Sequence, residues 1–112
     1  MKHVIVKVNH EIVQLDVIVE ALGTTERLDK LTLMIPVPVP ELSARLHHHL
    51  ANILRYDTSN PPSYLIYTNR LYRAVFHFTD NDITVTVEPA PIATFYDVPL
   101  IVSNITAMLS IV

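Results

Sequence analysis

The chain has 112 residues, half of them hydrophobic and only 17% charged, with no cysteine and a formal charge of −3 at neutral pH. That apolar content excludes intrinsic disorder, and the negative balance with scattered Lys and Arg offers no field for a nucleic-acid backbone. The lack of cysteine removes disulfides, thiolate nucleophiles and zinc–thiolate centres.

The N-terminus, MKHVIVKVNHE, alternates charged and apolar residues without a continuous hydrophobic run. It reads as a first strand and not as a signal peptide. Val4, Val6 and Val8 share one face; Val13, Leu15, Val17 and Val19 share a face of the next strand. A two-residue loop at Asn9-His10 sets Val6 opposite Val13 and Val4 opposite Leu15, so both apolar faces coincide. The same register puts His3 across from Asp16 as a solvated pair. Gly23-Thr24-Thr25 breaks the pattern, and the polar stretch through Lys30 reads as a loop or a single helical turn.

A third strand is expected from Leu31, with Leu33, Ile35, Val37 and Val39 on one face. Pro36, Pro38 and Pro40 alternate with these residues. Alternate residues of a strand turn their N–H groups to the same lateral side, so the prolines strip donors from one side only. This predicts a protected edge strand; the alternative is a polyproline-II connector that leaves the sheet after Ile35. Pro40 then suits the first turn of a helix, with Glu41 near its positive end. Leu42, Leu46, Leu50, Ile53 and Leu54 form its apolar stripe, and the loop from Tyr56 to Pro62 ends it.

The second half opens with three strands. The first spans Tyr64 to Tyr67 and is turned by Asn69-Arg70. A tight turn at Asp80-Asn81 opposes Phe78 to Ile83, Phe76 to Val85 and Ala74 to Val87 on one face, and Arg73 to Glu88 and His77 to Thr84 on the other. After EPAP and a loop, a helix is expected from Asp97 as N-cap through the C-terminus. The whole reads as one α+β domain over residues 1–112. It is a mainly antiparallel sheet of about six strands with two helices packed on one face. The order suggests a tandem βββα duplication, residues 1–56 and 57–112.

Motifs for chemistry are sparse. His47, His48 and His49 are consecutive, so on a helix they point about 100° apart and cannot converge on one ion. His49 falls in the leucine stripe and reads as a packed, hydrogen-bonded histidine, and no metal site is expected. The single glycine, Gly23, excludes phosphate-binding and dinucleotide fingerprints, and no cofactor is expected. Tyr64, Tyr67 and Tyr72 read as core and rim aromatics in the absence of a basic groove. The sequon at Asn104-Ile105-Thr106 is read as a chance match. Arg73, His77 and Thr84 share the outer face of the sheet, where they would meet a small anion such as a nucleotide. The plainer reading is a solvated face with an Arg73–Glu88 pair.

The last segment, VPLIVSNITAMLSIV, carries two stripes on a helix. Ile101, Ile105, Met108, Leu109 and Val112 would face the core, while Leu100, Ala107 and Ile111, flanking Asn104, lie nearly opposite. Its uncharged run is too short to cross a bilayer, and a cytoplasmic location is expected. A helix apolar on two sides is buried on two sides, so Leu100, Asn104, Ala107 and Ile111 are the candidate interface. The leading functional expectation is a non-enzymatic interaction or structural protein acting as a homo-oligomer, a dimer in the simplest case, with another protein as an alternative partner. The competing readings are an anion-binding or sequestering protein using the outer sheet face, and a small hydrolase or nuclease using His77.

Overall fold

A computed structural model describes residues 2–24, 27–91 and 97–112. Its elements run β1 (His3–Val8), β2 (Glu11–Asp16), β3 (Ile18–Gly23), β4 (Leu28–Pro36), α1 (Pro40–Ile53), β5 (Tyr64–Thr68), β6 (Tyr72–Phe78), β7 (Asp82–Pro89) and α2 (Val98–Leu109). The fold is α+β, as the periodicity predicts. The strands form two antiparallel sheets, a β1–β2 pair and a five-stranded sheet in the order β3-β4-β7-β6-β5.

Both predicted hairpin registers are present: Val6 pairs Val13, Val4 pairs Leu15, Phe78 pairs Ile83 and Phe76 pairs Val85. Asn9 and His10 have φ of 48° and 70°. A two-residue hairpin with both central residues left-handed twists in the same sense as its strands. At the β6–β7 turn, Thr79 N–H donates to the Asp82 carbonyl and Thr79 Oγ1 accepts from the Asp82 amide, each at 3.0 Å.

The expected second strand divides at Val17, which raises the strand count from about six to seven among the described residues. Its first half, β2, pairs β1 and its second half, β3, pairs β4. The alternation of buried Leu15 and Val17 runs through the bend, so period alone cannot reveal the change of partner.

The protected edge strand is also corrected, because β4 lies between β3 and β7. The prolines nevertheless act on one lateral side, as the alternation requires. Val37 donates its N–H to the Asn81 carbonyl at 2.8 Å, on the β7 side. Pro36 and Pro38 therefore turn toward the other side, where the β3–β4 ladder ends at Ile18–Met34. Continuing that register would set Asp16 opposite Pro36 and Gln14 opposite Pro38. A cleft of about 300 Å³ lies between these segments instead. The prolines thus split what would be a continuous sheet into two.

Pro40 occupies the first turn of α1, and Leu42, Ser43, Leu46, Leu50 and Ala51 are its buried residues. Ser43 Oγ donates to the Thr79 carbonyl, tying α1 to the β6–β7 turn. The helix ends with Arg55 at φ 64°, Arg55 N–H bonded to the Asn52 carbonyl and Tyr56 N–H bonded to that of Ala51. This is the Schellman arrangement with arginine in the place that favours glycine. Ile53, expected in the stripe, is 45% exposed.

Asp97 caps α2 as expected, its carboxylate accepting from Leu100 N–H at 3.0 Å. The helix stops at Leu109, however, and not at the C-terminus. Ile111 instead bonds along β1, accepting from Lys7 N–H and donating to the Ile5 carbonyl, both at 2.8 Å. Ser110 Oγ donates to the Thr106 carbonyl at 2.7 Å and accepts from Ile5 N–H at 3.0 Å. Val112, expected in the core stripe, is 91% exposed. The core joins β-sheet residues Leu31, Leu33, Ile35, Phe76, Ile83 and Val85 to Leu46, Leu50, Ile105 and Leu109 of the two helices.

Candidate functional site

Because the buried residues of β4, β6 and β7 alternate with exposed or half-buried ones, the five-stranded sheet has a core face and an outer face. The registers place the outer residues in rows. Ile18, Met34, Thr84, His77 and Tyr64 form one row, and Glu20, Thr32, Thr86, Val75 and Ile66 form the next. Ile18, Met34, Tyr64 and Ile66 are exposed on it. It is a broad, mixed surface of aliphatic, aromatic and hydroxyl groups.

Arg73, His77 and Thr84 are on this face, and Thr84 stands directly opposite His77. The Tyr64 ring stacks on His77 with centroids 4.2 Å apart and planes 12° apart. That stack was missed by sequence reasoning, because it depends on the β5–β6 register setting Tyr64 opposite His77. Arg73 and Glu88 are also opposite each other, but the ion pairs among the described residues are His3–Asp16 at 3.3 Å and Arg27–Asp29 at 3.6 Å. His77 has an aromatic neighbour and a hydroxyl, with no carboxylate opposite it.

The three consecutive histidines diverge as expected. His47 Nε2 lies 2.7 Å from the Pro62 carbonyl, and its ring stacks on Phe78. His48 is exposed, and the half-buried His49 has a buried Nε2 without a hydrogen-bond partner. The expectation that His49 is hydrogen-bonded is thus corrected at that atom. No group of metal-ligating side chains converges among the described residues. Two further clefts of about 500 and 480 Å³ flank α1, one lined by Val8, Glu11, Glu41 and Arg45, the other by His48, His49, Asn52 and Thr58.

Of the candidate interface, Leu100, Asn104 and Ala107 form an exposed side of α2, Leu100 being 54% exposed. Ile111 lies off the helix, against β1. Asn104 also serves its own chain. Burial of the Tyr72 hydroxyl, and then the neighbouring Tyr67, raise its pKa, while side-chain hydrogen bonds with Asn69 and Asn104 pull it down.

The lateral edges differ in how they are covered. At β5, Phe78 N–H bonds to the Ser63 carbonyl, so by alternation Tyr64, Ile66 and Thr68 turn outward. Tyr56 Oη accepts from the outward Ile66 N–H at 3.0 Å. The outer edge of β1 is covered by the Ile111 bonds. At β3 the picture is different. The Val37–Asn81 bond turns odd-numbered β4 residues toward β7, hence even-numbered ones toward Ile18, Glu20 and Leu22. The backbones of Val19 and Ala21 therefore turn to the side left open among the described residues. Every residue of β3 is exposed, including Ile18 at 55%, Val19 at 43% and Leu22 at 52%.

No helix among the described residues is long and apolar enough to cross a membrane. Comparison with family models, curated proteins and solved structures gives no match to this chain.

Proposed function

We propose that the chain is a non-enzymatic interaction or structural subunit that assembles with copies of itself, in the simplest case as a dimer. The observation that carries this reading is the set of large apolar residues left exposed: Ile18, Val19 and Leu22 on β3, Met34 and Ile66 on the outer sheet face, and Leu100 on α2. Burying such groups is worth about 25 cal/mol per Å², which is the driving force for association.

Size-exclusion chromatography with light scattering tests this reading. At about 100 μM, where even a dimer with a Kd of about 10 μM is mostly associated, the expected mass is twice that of the chain. A monomer at that concentration refutes the proposal.

A further inference from the structure

We propose that the open side of β3 is completed by the β3 strand of a second copy, paired antiparallel about a two-fold axis into one continuous sheet. This inference rests on the self-association proposed above and assigns its seam.

The strand order points to this seam. With β2 and β3 counted as one bent strand, it reads β1-β2/β3-β4-β7-β6-β5, the same outward in both directions from the β4–β7 pair. In that order β3 corresponds to β6, and β6 is covered by β5 over Tyr64–Thr68. The strand that would cover β3 is β1, but its ladder runs along β2 and ends at His3–Asp16. Thus, among the described residues, β3 lacks a neighbour that its counterpart has.

The edges are also selectively protected. Unpaired edges recruit strands from other chains, and proteins blunt them with prolines, lysines, bulges or covering groups. Here the Tyr56 hydroxyl occupies the central outward N–H of β5, at Ile66, the tail covers β1, and prolines stop the end of β4. The β3 sequence, IVEALG, has neither proline nor lysine. Its irregularity is confined to the Leu22/Gly23 end.

The β3 edge is, in addition, self-complementary. Since Val19 and Ala21 turn outward, the register that overlaps Ile18–Leu22 and leaves out the irregular Gly23 end exchanges N–H···O bonds between Val19 of each copy and Ala21 of the other. On the outer face it sets Ile18 against Leu22 of the second copy at both ends. At the axis Glu20 meets Glu20, the single unfavourable pair. Facing like charges weaken a strand pair by up to about fivefold, so Glu20 keeps this seam reversible.

The absence of native cysteine gives the register a direct test. Cα atoms of a non-hydrogen-bonded antiparallel pair are about 4.5 Å apart, within disulfide range. With an added oxidant, Glu20→Cys is expected to form a disulfide dimer on a non-reducing gel, while Leu100→Cys stays monomeric. Val19→Lys and Ala21→Pro act where the N–H is not used by the β4 ladder. Both are expected to give monomers with the far-UV circular dichroism of the parent. Glu20→Gln is expected to tighten the dimer about two- to fivefold. A dimer that survives Val19→Lys and cross-links through Leu100→Cys overturns the β3 seam and leaves self-association standing. A parent chain that is monomeric at about 100 μM overturns both.

Discussion

Ser110→Ala probes the joint between the C-terminal tail and the small sheet. The Ser110 hydroxyl donates to the Thr106 carbonyl at 2.7 Å and accepts from Ile5 N–H at 3.0 Å, so one oxygen links the end of α2 to the edge of β1. Alanine removes both bonds. Each is worth about 0.5–1.5 kcal/mol net, and the half-buried Ile5 N–H loses its partner. The Thr106 carbonyl keeps the Ser110 N–H at 3.0 Å, which holds the expected loss near 2 kcal/mol instead of the upper limit of about 3. An unfolding entropy of about 2.1 cal/mol/K per residue converts 2 kcal/mol into a fall in Tm of about 8 °C for this chain length. Thermal melts followed by circular dichroism measure it, and amide hydrogen exchange locates it. Ile5 should lose protection well beyond the global change read at Leu33 in the centre of the large sheet. A Tm shift under about 2 °C with Ile5 protection intact refutes the linkage.

Three other outcomes follow from backbone and burial. Arg55 and His10 both sit at positive φ, so Arg55→Gly and His10→Gly should each raise stability by about 0.5–1 kcal/mol in urea denaturation. Gly23→Ala should cost more than about 2 kcal/mol, because at φ 139° an added Cβ collides with the Arg27 carbonyl oxygen and comes within 2.8 Å of the Asp29 amide nitrogen. Tyr72, its pKa raised chiefly by burial, should ionise above the ordinary tyrosine range of about 10 in an ultraviolet pH titration. Its neutral form is favoured in the folded state, so its contribution to stability is present below the unfolded value of about 10 and declines as pH rises from there toward the folded value. Tyr72→Phe should remove that share of the alkaline loss.

What the sequence revealed was local pairing. The β1–β2 and β6–β7 registers were legible because a single offset satisfied both faces of each hairpin at once, as Val6–Val13 and Arg73–Glu88 show. Lateral neighbours were not legible in the same way. Val13, Leu15, Val17 and Val19 keep their alternation while the strand changes partner from β1 to β4, since side-chain period reports faces and says nothing about edges. The prolines showed which N–H groups were missing, but not that β7 would sit on the other side of the same strand. At the candidate site, the grouping of Arg73, His77 and Thr84 on one face was readable. The Tyr64–His77 stack and the covering of Ile66 by Tyr56 were not, because each joins residues whose meeting depends on the β5 register and the path of the loop after α1.

The β4–β7 pairing sets the order in which this chain can assemble. Partners across it are separated by 46 to 56 residues, from Pro36–Asp82 to Leu31–Val87, whereas β6 and β7 meet across a two-residue turn. Loop-closure entropy makes the distant ladder the late and slow event, and short hairpins form on microsecond timescales of about 1–10 μs. During that interval β4 and β7 wait with their facing hydrogen-bonding edges unjoined. The alternating prolines then have a kinetic value distinct from their place in the finished molecule, since they deny the waiting end of β4 the donors with which it could capture the wrong strand.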